Sequence, residues 1–106
     1  KALPGLITQN LPYLKAKLEE WGIEEVVICS SINKIGYLMS PNVESYVETI
    51  SKNDPLKYQL MAMSTLASGA IKATEAYNFI NSLPIQSVVF GASSERNIKE
   101  TVSLIK

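Results

Sequence analysis

Residues 58–90 read YQLMAMSTLASGAIKATEAYNFINSLPIQSVVF. Two short apolar segments, 58–63 and 87–90, flank a segment whose apolar residues recur at helical spacing. We predict strands for the two short segments and a helix over 73–83 that ends at Pro84, although the Ala and Met content of the first segment is also compatible with a helix. This order of strand, helix and strand over about 30 residues is typical of a βαβ unit.

The chain on the N-terminal side repeats this alternation. A helix over 10–21 is predicted from Leu and Trp residues spaced three and four apart, with Asn10 as its N-terminal cap and Gly22 just beyond its end. The β-branched apolar run within 23–29 predicts a strand that is covered on both faces. The next helix is predicted over 40–52, because a Ser-Pro pair at its start suits a cap and a first helical turn.

The C-terminal residues complete the pattern. The last strand is followed by a helix that is predicted to begin at Ser93 or Ser94 and to direct Ile98, Val102 and Ile105 inward. The 106 residues are therefore predicted to form one α/β domain of repeated βα units with parallel strands. A small open doubly wound sheet is an alternative arrangement of the same elements.

The composition argues against several classes of function. Ten basic and ten acidic residues give zero formal charge, so general nucleic-acid binding is not expected. The absence of His excludes histidine zinc sites and serine–histidine triads supplied by these residues. The single cysteine, Cys29, is predicted to be a buried small side chain. No apolar run is long enough to cross a bilayer, and we expect a soluble, cytoplasmic protein without a membrane partner.

Parallel strands place the loops that follow them at one edge of the sheet, which is where α/β folds bind ligands. Two of these loops, 64–70 and 91–94, are rich in small and hydroxyl-bearing residues. Their backbone N–H groups and hydroxyls, together with a helix N-terminus, suit a phosphate group, and Lys72 or Arg96 would add positive charge. Tight turns and helix caps explain the same residues without any ligand.

A third loop, residues 30–39, also follows a predicted strand. In it Asn33 is a candidate hydrogen-bonding group for a ligand, Lys34 a candidate charge and Tyr37 a candidate stacking group. Packing of the loop against the domain explains these three residues equally well.

With these features the chain resembles the C-terminal half of an aldo/keto reductase-type TIM barrel, a (β/α)8 fold. The resemblance lies in segments that look like the fifth to eighth strands and the loops after them: 5–10, 26–33, 58–66 with Gly69, and 87–94 with 98–100. It covers nearly the whole chain. Small-residue loops of this kind also occur in other phosphate-binding barrels.

The resemblance implies NADP as the cofactor of the complete barrel, bound by the loops after its last two strands. The residues that would bind the cofactor are Ser64, Thr65, Leu66, Gly69, Gly91, Ala92, Ser93, Ser94 and Glu100. Thr101 stands where the family usually has Asn after that Glu. The family's catalytic Asp, Tyr, Lys and His belong to the N-terminal half, so the resemblance implies that these 106 residues do not reduce carbonyls alone and contain no catalytic residue.

Two hypotheses for function result. The first is the cofactor- or phosphate-binding half of an aldo/keto reductase-like oxidoreductase, whose partner is the missing N-terminal half of the barrel. The second is a non-enzymatic α/β module that binds a small phosphate-containing ligand or serves as a structural scaffold. Since a half barrel has two open sheet edges and an uncovered inner face, assembly into a homo-oligomer is the alternative to the missing half as the partner.

Overall fold

Strands and helices alternate along the whole described chain. The structure, a computed structural model, describes residues 3–90 and 98–105 with their side chains and residues 95–97 as backbone. Its elements are β1 (Gly5–Thr8), α1 (Leu11–Glu20), β2 (Val26–Ser31), α2 (Val43–Ser51), β3 (Tyr58–Met63), α3 (Ala73–Asn81), β4 (Ser87–Val88) and α4 (Glu95–Leu104). A short 3-10 turn, Ala67–Gly69, lies between β3 and α3.

The strands form one parallel sheet in the order β1-β2-β3-β4. One row across the sheet runs from Ile7 through Cys29 and Met61 to Ser87. The predicted α/β class with parallel strands is thereby confirmed. Because each strand lies next to its predecessor, the helices that connect the strands are arranged along the sheet in the order in which they occur in the chain.

The hydrophobic core lies between the sheet and the helices. Alternate strand residues that face this core are Val26, Ile28, Tyr58, Leu60 and Ala62. The helices add Leu11 and Leu18 from α1, Tyr46 and Ile50 from α2, and Tyr77 and Ile80 from α3, all in the same cluster. Leu104 of α4 packs against its margin. The four helices therefore share one face of the sheet.

The opposite face of the sheet is uncovered in the described chain. Its residues alternate with the core residues, and they include Val27, Cys29 and Met61, which are half-buried, and Ile7, which is 74% exposed. Of the coverage on both faces that was predicted for the strand in 23–29, the described chain itself provides only the helical side. The apolar side chains of this strand point to both faces of the sheet, but helices pack on only one of the two faces.

Helix α1 begins and ends as predicted. The Asn10 side chain accepts a hydrogen bond from the Tyr13 N–H at 3.2 Å, and Gly22 beyond the helix has φ of +69°. Both features satisfy backbone groups that a helix end leaves unpaired. Trp21, which the apolar spacing placed on the inward stripe, is instead 62% exposed because it lies at the C-terminal cap, where the chain turns away.

Helix α2 begins later than predicted. Its cap is Asn42, whose side chain accepts a hydrogen bond from the Ser45 N–H at 2.8 Å, so Ser40 lies before the helix. Asn and Ser are comparable N-caps, and the sequence offers both within three positions. The predicted strand at 58–63 matches β3, whereas β4 is shorter than the predicted 87–90.

Helix α4 buries less of its apolar surface than predicted. Ile98 and Val102 are 46% and 56% exposed, while Ile105, just beyond the helix, is partly buried against the core. The helix lies at the β4 end of the sheet, and among the described helices its main packing partner is α3. The proposed capping residues Ser93 and Ser94 lie outside the described residues.

Buried tyrosine hydroxyls join the layers of the fold. The Tyr46 hydroxyl of α2 accepts a hydrogen bond from the Leu11 N–H at 3.1 Å and lies 3.3 Å from the Ser30 hydroxyl of β2. The Tyr58 hydroxyl of β3 donates to the Ile23 carbonyl at 2.8 Å. Tyr46 thus satisfies one of the N–H groups that the first turn of α1 leaves unpaired, and it links α1, α2 and β2.

Replacing Tyr46 by Phe is expected to lower the free energy of unfolding by about 1–3 kcal/mol, since the buried Leu11 N–H loses its partner. Ser30 keeps its bond to the Thr8 carbonyl at 2.8 Å. The control is Tyr13→Phe, which alters an exposed hydroxyl and should change stability by less than about 0.5 kcal/mol. Urea unfolding measures both variants, and equal stabilities would contradict this role of Tyr46.

Candidate functional site

The loop between β3 and α3 has an unusual backbone. Ser64, Ala67 and Ser68 have φ of +54°, +49° and +58°, in the left-handed region, and Gly69 follows with +92°. A residue with a Cβ atom in this region costs about 1–2 kcal/mol. Three such residues within one loop therefore require other contacts that fix its shape.

The contacts that fix this loop come from the last residue of β2 and from the loop after it. The Asn33 side chain donates to the Ser64 carbonyl at 3.2 Å, and the Ser31 hydroxyl donates to the Ser64 hydroxyl at 3.1 Å. Within the loop, the Ser64 carbonyl also accepts from the Ala67 N–H at 3.0 Å. The carboxyl ends of β2 and β3 are thus joined through Ser64.

A cleft of about 370 Å³ opens where this loop meets the end of β4. Its lining residues are Met63, Ser64, Thr65, Leu66, Ser68, Tyr77, Val89, Phe90 and Thr101. None of these described lining residues carries a charge. The cleft lies at the carboxyl edge of the parallel sheet, the edge at which α/β proteins bind ligands, and its volume is within the range of small-molecule sites.

Two hydroxyls in the lining have spare donor capacity. Ser64 accepts from Ser31, and Tyr77 accepts from the Thr65 hydroxyl at 3.0 Å. A hydroxyl that accepts one hydrogen bond still has its own proton to donate. Ser64 and Tyr77 are therefore able to donate to an oxygen of a ligand in the cleft without breaking the bonds that position them.

The structure brings together some of the residues predicted to bind a cofactor. Ser64, Thr65 and Leu66 line the cleft. Gly69 is exposed at the end of the 3-10 turn, and Glu100 is exposed on α4 next to the lining residue Thr101; neither is among the lining residues. The remaining predicted residues, Gly91, Ala92, Ser93 and Ser94, lie outside the described residues.

Lys72, one of the two candidate cations, adds no charge to the lining of this cleft. Lys72 is exposed at the N-terminal cap of α3 and is absent from the described lining. The side chain of Arg96 lies outside the described residues. Any negative charge on a ligand is therefore met, within the described lining, by hydroxyl and backbone groups.

In the third loop, residues 30–39, Asn33 holds the loop together from within and Lys34 forms an ion pair at the surface. Asn33 is fully buried; its side chain accepts from the Tyr37 N–H and donates to the Tyr37 carbonyl, both at 2.8 Å. Lys34 pairs with Glu75, and this neighbouring ammonium lowers the pKa of the Glu75 carboxyl. Tyr37 is partly exposed and is not part of the described cleft.

Several lining residues were not predicted as site residues. Tyr77 was assigned to the core face of α3, and its ring is indeed buried, but its hydroxyl reaches the loop through Thr65. Val89 and Phe90 were assigned to the last strand, whose end lies at the cleft. A parallel βαβ arrangement places a strand end and a helix start on the same edge, which is the signal that identifies such positions.

Cys29 lies away from the cleft on the uncovered face. It is half-buried, and burial raises the pKa of its thiol, so the neutral form is favoured. Across the ranges 3–90 and 95–105, no group of three His, Cys, Asp or Glu side chains is placed to hold a metal ion. The same ranges contain no helix with the length and apolar character needed to cross a membrane.

Comparison with protein-family models, with curated proteins and with solved structures gave no significant match.

Replacing Asn33 by Leu, which has a similar volume, is expected to lower the free energy of unfolding by at least about 2 kcal/mol, because the three hydrogen bonds of this buried side chain are lost. The matched control is Asn78→Leu on the exposed surface of α3, which should have little effect. Chemical denaturation with circular dichroism gives both values. If Asn33→Leu is as stable as Asn78→Leu, the loop is fixed by other contacts.

Proposed function

We propose that this chain is a ligand-binding βα module whose cleft at the ends of β3 and β4 accepts a small phosphate-containing ligand. More specifically, we propose that it is the cofactor-binding half of an aldo/keto reductase-like TIM barrel and that its ligand is NADP. The observation that carries the proposal is the meeting of Ser64, Thr65 and Leu66 with Val89 and Phe90 around one cleft. In (β/α)8 barrels, the loops after the last two strands often bind phosphate.

The arrangement of the sheet supports the half-barrel interpretation. The four strands are parallel and sequential, and the helices share one face of the sheet. A barrel has all its helices outside the ring of strands, whereas a doubly wound sheet has helices on both faces. Such a half barrel would supply the cofactor side, and the residues that transfer protons to a carbonyl substrate would come from the missing half.

The chemistry of the lining supports an oxygen-rich ligand. Ser64 and Tyr77 each have a hydroxyl proton to donate, and the walls formed by Leu66, Val89 and Phe90 are apolar. A ligand with phosphate oxygens at one end and a flat or apolar group at the other matches this combination. The chain alone would bind the cofactor without turning over a substrate.

A structural scaffold without a ligand is the second candidate. It is favoured by the internal pairing of Ser31 with Ser64 and of Thr65 with Tyr77, since these bonds already satisfy part of the polar capacity of the cleft. The absence of a charged side chain from the described lining points the same way. The two candidates differ in one measurable property, which is saturable binding.

Isothermal titration calorimetry of the 106-residue chain with millimolar NADPH, NADP or inorganic pyrophosphate tests the proposal. We expect saturable binding of the dinucleotide. Thr101→Trp should weaken this binding at least about tenfold, because a large ring projects into the cleft. The matched control Thr74→Trp places the same ring on the exposed surface of α3 and should bind as the unaltered chain does.

The outcomes separate the hypotheses. Binding of pyrophosphate without a preference for the dinucleotide supports a phosphate site and contradicts the NADP assignment. No binding of any of the three ligands contradicts the ligand-binding proposal and leaves the scaffold. Carbonyl reduction by the 106 residues alone would contradict the assignment of the catalytic residues to a missing half.

A further inference from the structure

The uncovered face of the sheet has the composition of an interior. Its described residues are uncharged, and most are apolar: Gly5, Ile7, Val27, Cys29, Gln59, Met61, Met63, Ser87 and Val89. Ser31, on the same side of β2, is fully buried and hydrogen-bonded to Ser64. Parallel sheets are found almost only where both faces are covered. The apolar composition of this face is therefore typical of a sheet face that is covered by a second layer of protein.

The shape of the chain shows how much surface is available. The chain exposes 6513 Å², whereas a compact monomer of 11.7 kDa exposes roughly 5,900 Å². The chain therefore exposes roughly 600 Å² more than a compact monomer of its mass, and the exposed Ile7 on the uncovered face is one contributor to this excess. The extents of 43 × 33 × 20 Å describe a two-layer slab of sheet and helices.

The two edges of the sheet define the geometry of a partner. β1 and β4 are the outer strands, and each has one edge without a strand partner in the described chain. A two-fold axis parallel to the strands places β4 of one copy beside β1 of another, parallel to it, at two equivalent seams. The result has eight parallel strands, the number at which side chains fill the interior of a barrel.

Exposed apolar groups on the outer helices lie where these seams would form. On α1 the residues Pro12, Lys15, Ala16 and Glu19 border α2. At 100° per residue, Tyr13 and Trp21 lie toward the opposite flank, and both are exposed.

Ile98 and Val102, one turn apart on α4, are also exposed. Closure of the barrel would bring α4 of one copy against this flank of α1 in the other. The exposed apolar residues of both helices would then become part of the interface.

We propose that a second copy of this chain covers the uncovered face and closes an eight-stranded barrel with two-fold symmetry. Electrostatic repulsion does not oppose this assembly, because the chain has zero formal charge and the described face has no charged side chain. Each cleft would then lie beside the carboxyl end of the partner's β1. In the 106-residue chain by itself, the second copy occupies the face and the edges that an N-terminal half would occupy in a longer barrel. The proposal rests on the sheet and its edges and names no ligand, although Met63 and Val89 belong both to this face and to the lining of the cleft.

Sedimentation equilibrium of the 106-residue chain tests the assembly. We expect a species of twice the 11.7 kDa chain mass that dissociates on dilution. Ile7→Lys should raise the dissociation constant about a hundredfold or more, because two unpaired ammonium groups would enter the shared interior. The control Leu56→Lys changes a residue that is 87% exposed in the turn before β3 and should leave the constant unchanged.

Hydrogen exchange distinguishes barrel closure from other dimers. Closure predicts that outer-edge amides of both β1 and β4 exchange at least about tenfold more slowly at concentrations that favour the dimer. A dimer in which these amides exchange at the monomer rate would overturn the barrel, as would open assemblies larger than two chains.

A chain that stays monomeric at millimolar concentration would overturn the proposal altogether. Circular dichroism of Ile7→Lys checks that the domain still folds, which is expected because Ile7 is exposed on an outer strand. Loss of dimer with retained dinucleotide binding, or the reverse, separates this proposal from the proposed function.

Discussion

The structure depends on one geometric constraint, the crossover between neighbouring parallel strands. Each helix returns the chain to the start of the next strand, and since crossovers of this kind are right-handed, successive ones place their helices on the same side. The core residues Ile28, Leu60 and Tyr46 lie on that side. The same constraint leaves the other face uncovered and collects the loops that follow the strands at the carboxyl edge. The cleft and the exposed sheet face are thus two consequences of one topology.

Local sequence patterns were sufficient for the elements but not for their surroundings. The cap at Asn10, Gly22 after α1 and the strand at 58–63 were predictable, because each depends on a backbone group or a short apolar run. Whether Val27, Ile98 and Val102 are buried was not, since burial depends on which elements lie opposite. The sequence pattern of an apolar strand is the same whether its second face packs against a helix or remains exposed. The start of α2 was misplaced because Ser40 and Asn42 are both good caps.

In the candidate site, too, some residues could be predicted from the sequence and others could not. The small residues after β3 indicated a loop at the carboxyl edge, and Ser64, Thr65 and Leu66 do line the cleft. The role of Tyr77 could be identified only from the tertiary structure. A tyrosine at a core position of a helix is predicted to be buried, but its position in the sequence does not predict which group its hydroxyl contacts. The same is true of Asn33, because its buried side chain uses its polar atoms in three hydrogen bonds with the backbone and not in a ligand contact. Buried polar side chains at such edges often support the loops and leave binding to their neighbours.

The exposure of Trp21 affects what the fluorescence and the near-ultraviolet spectra of this protein report. It is the single tryptophan, and its indole lies on the outer flank of α1, away from the core. Because its side chain is 62% exposed, its fluorescence in an isolated chain is expected to be governed mainly by contact with water, and to change less on unfolding than that of a buried indole. The buried rings of Tyr46, Tyr58 and Tyr77 instead report on the core through their near-ultraviolet bands. A blue shift of the indole emission would mark a contact made on the outside of α1, and the two chromophores separate folding from association in one spectrum.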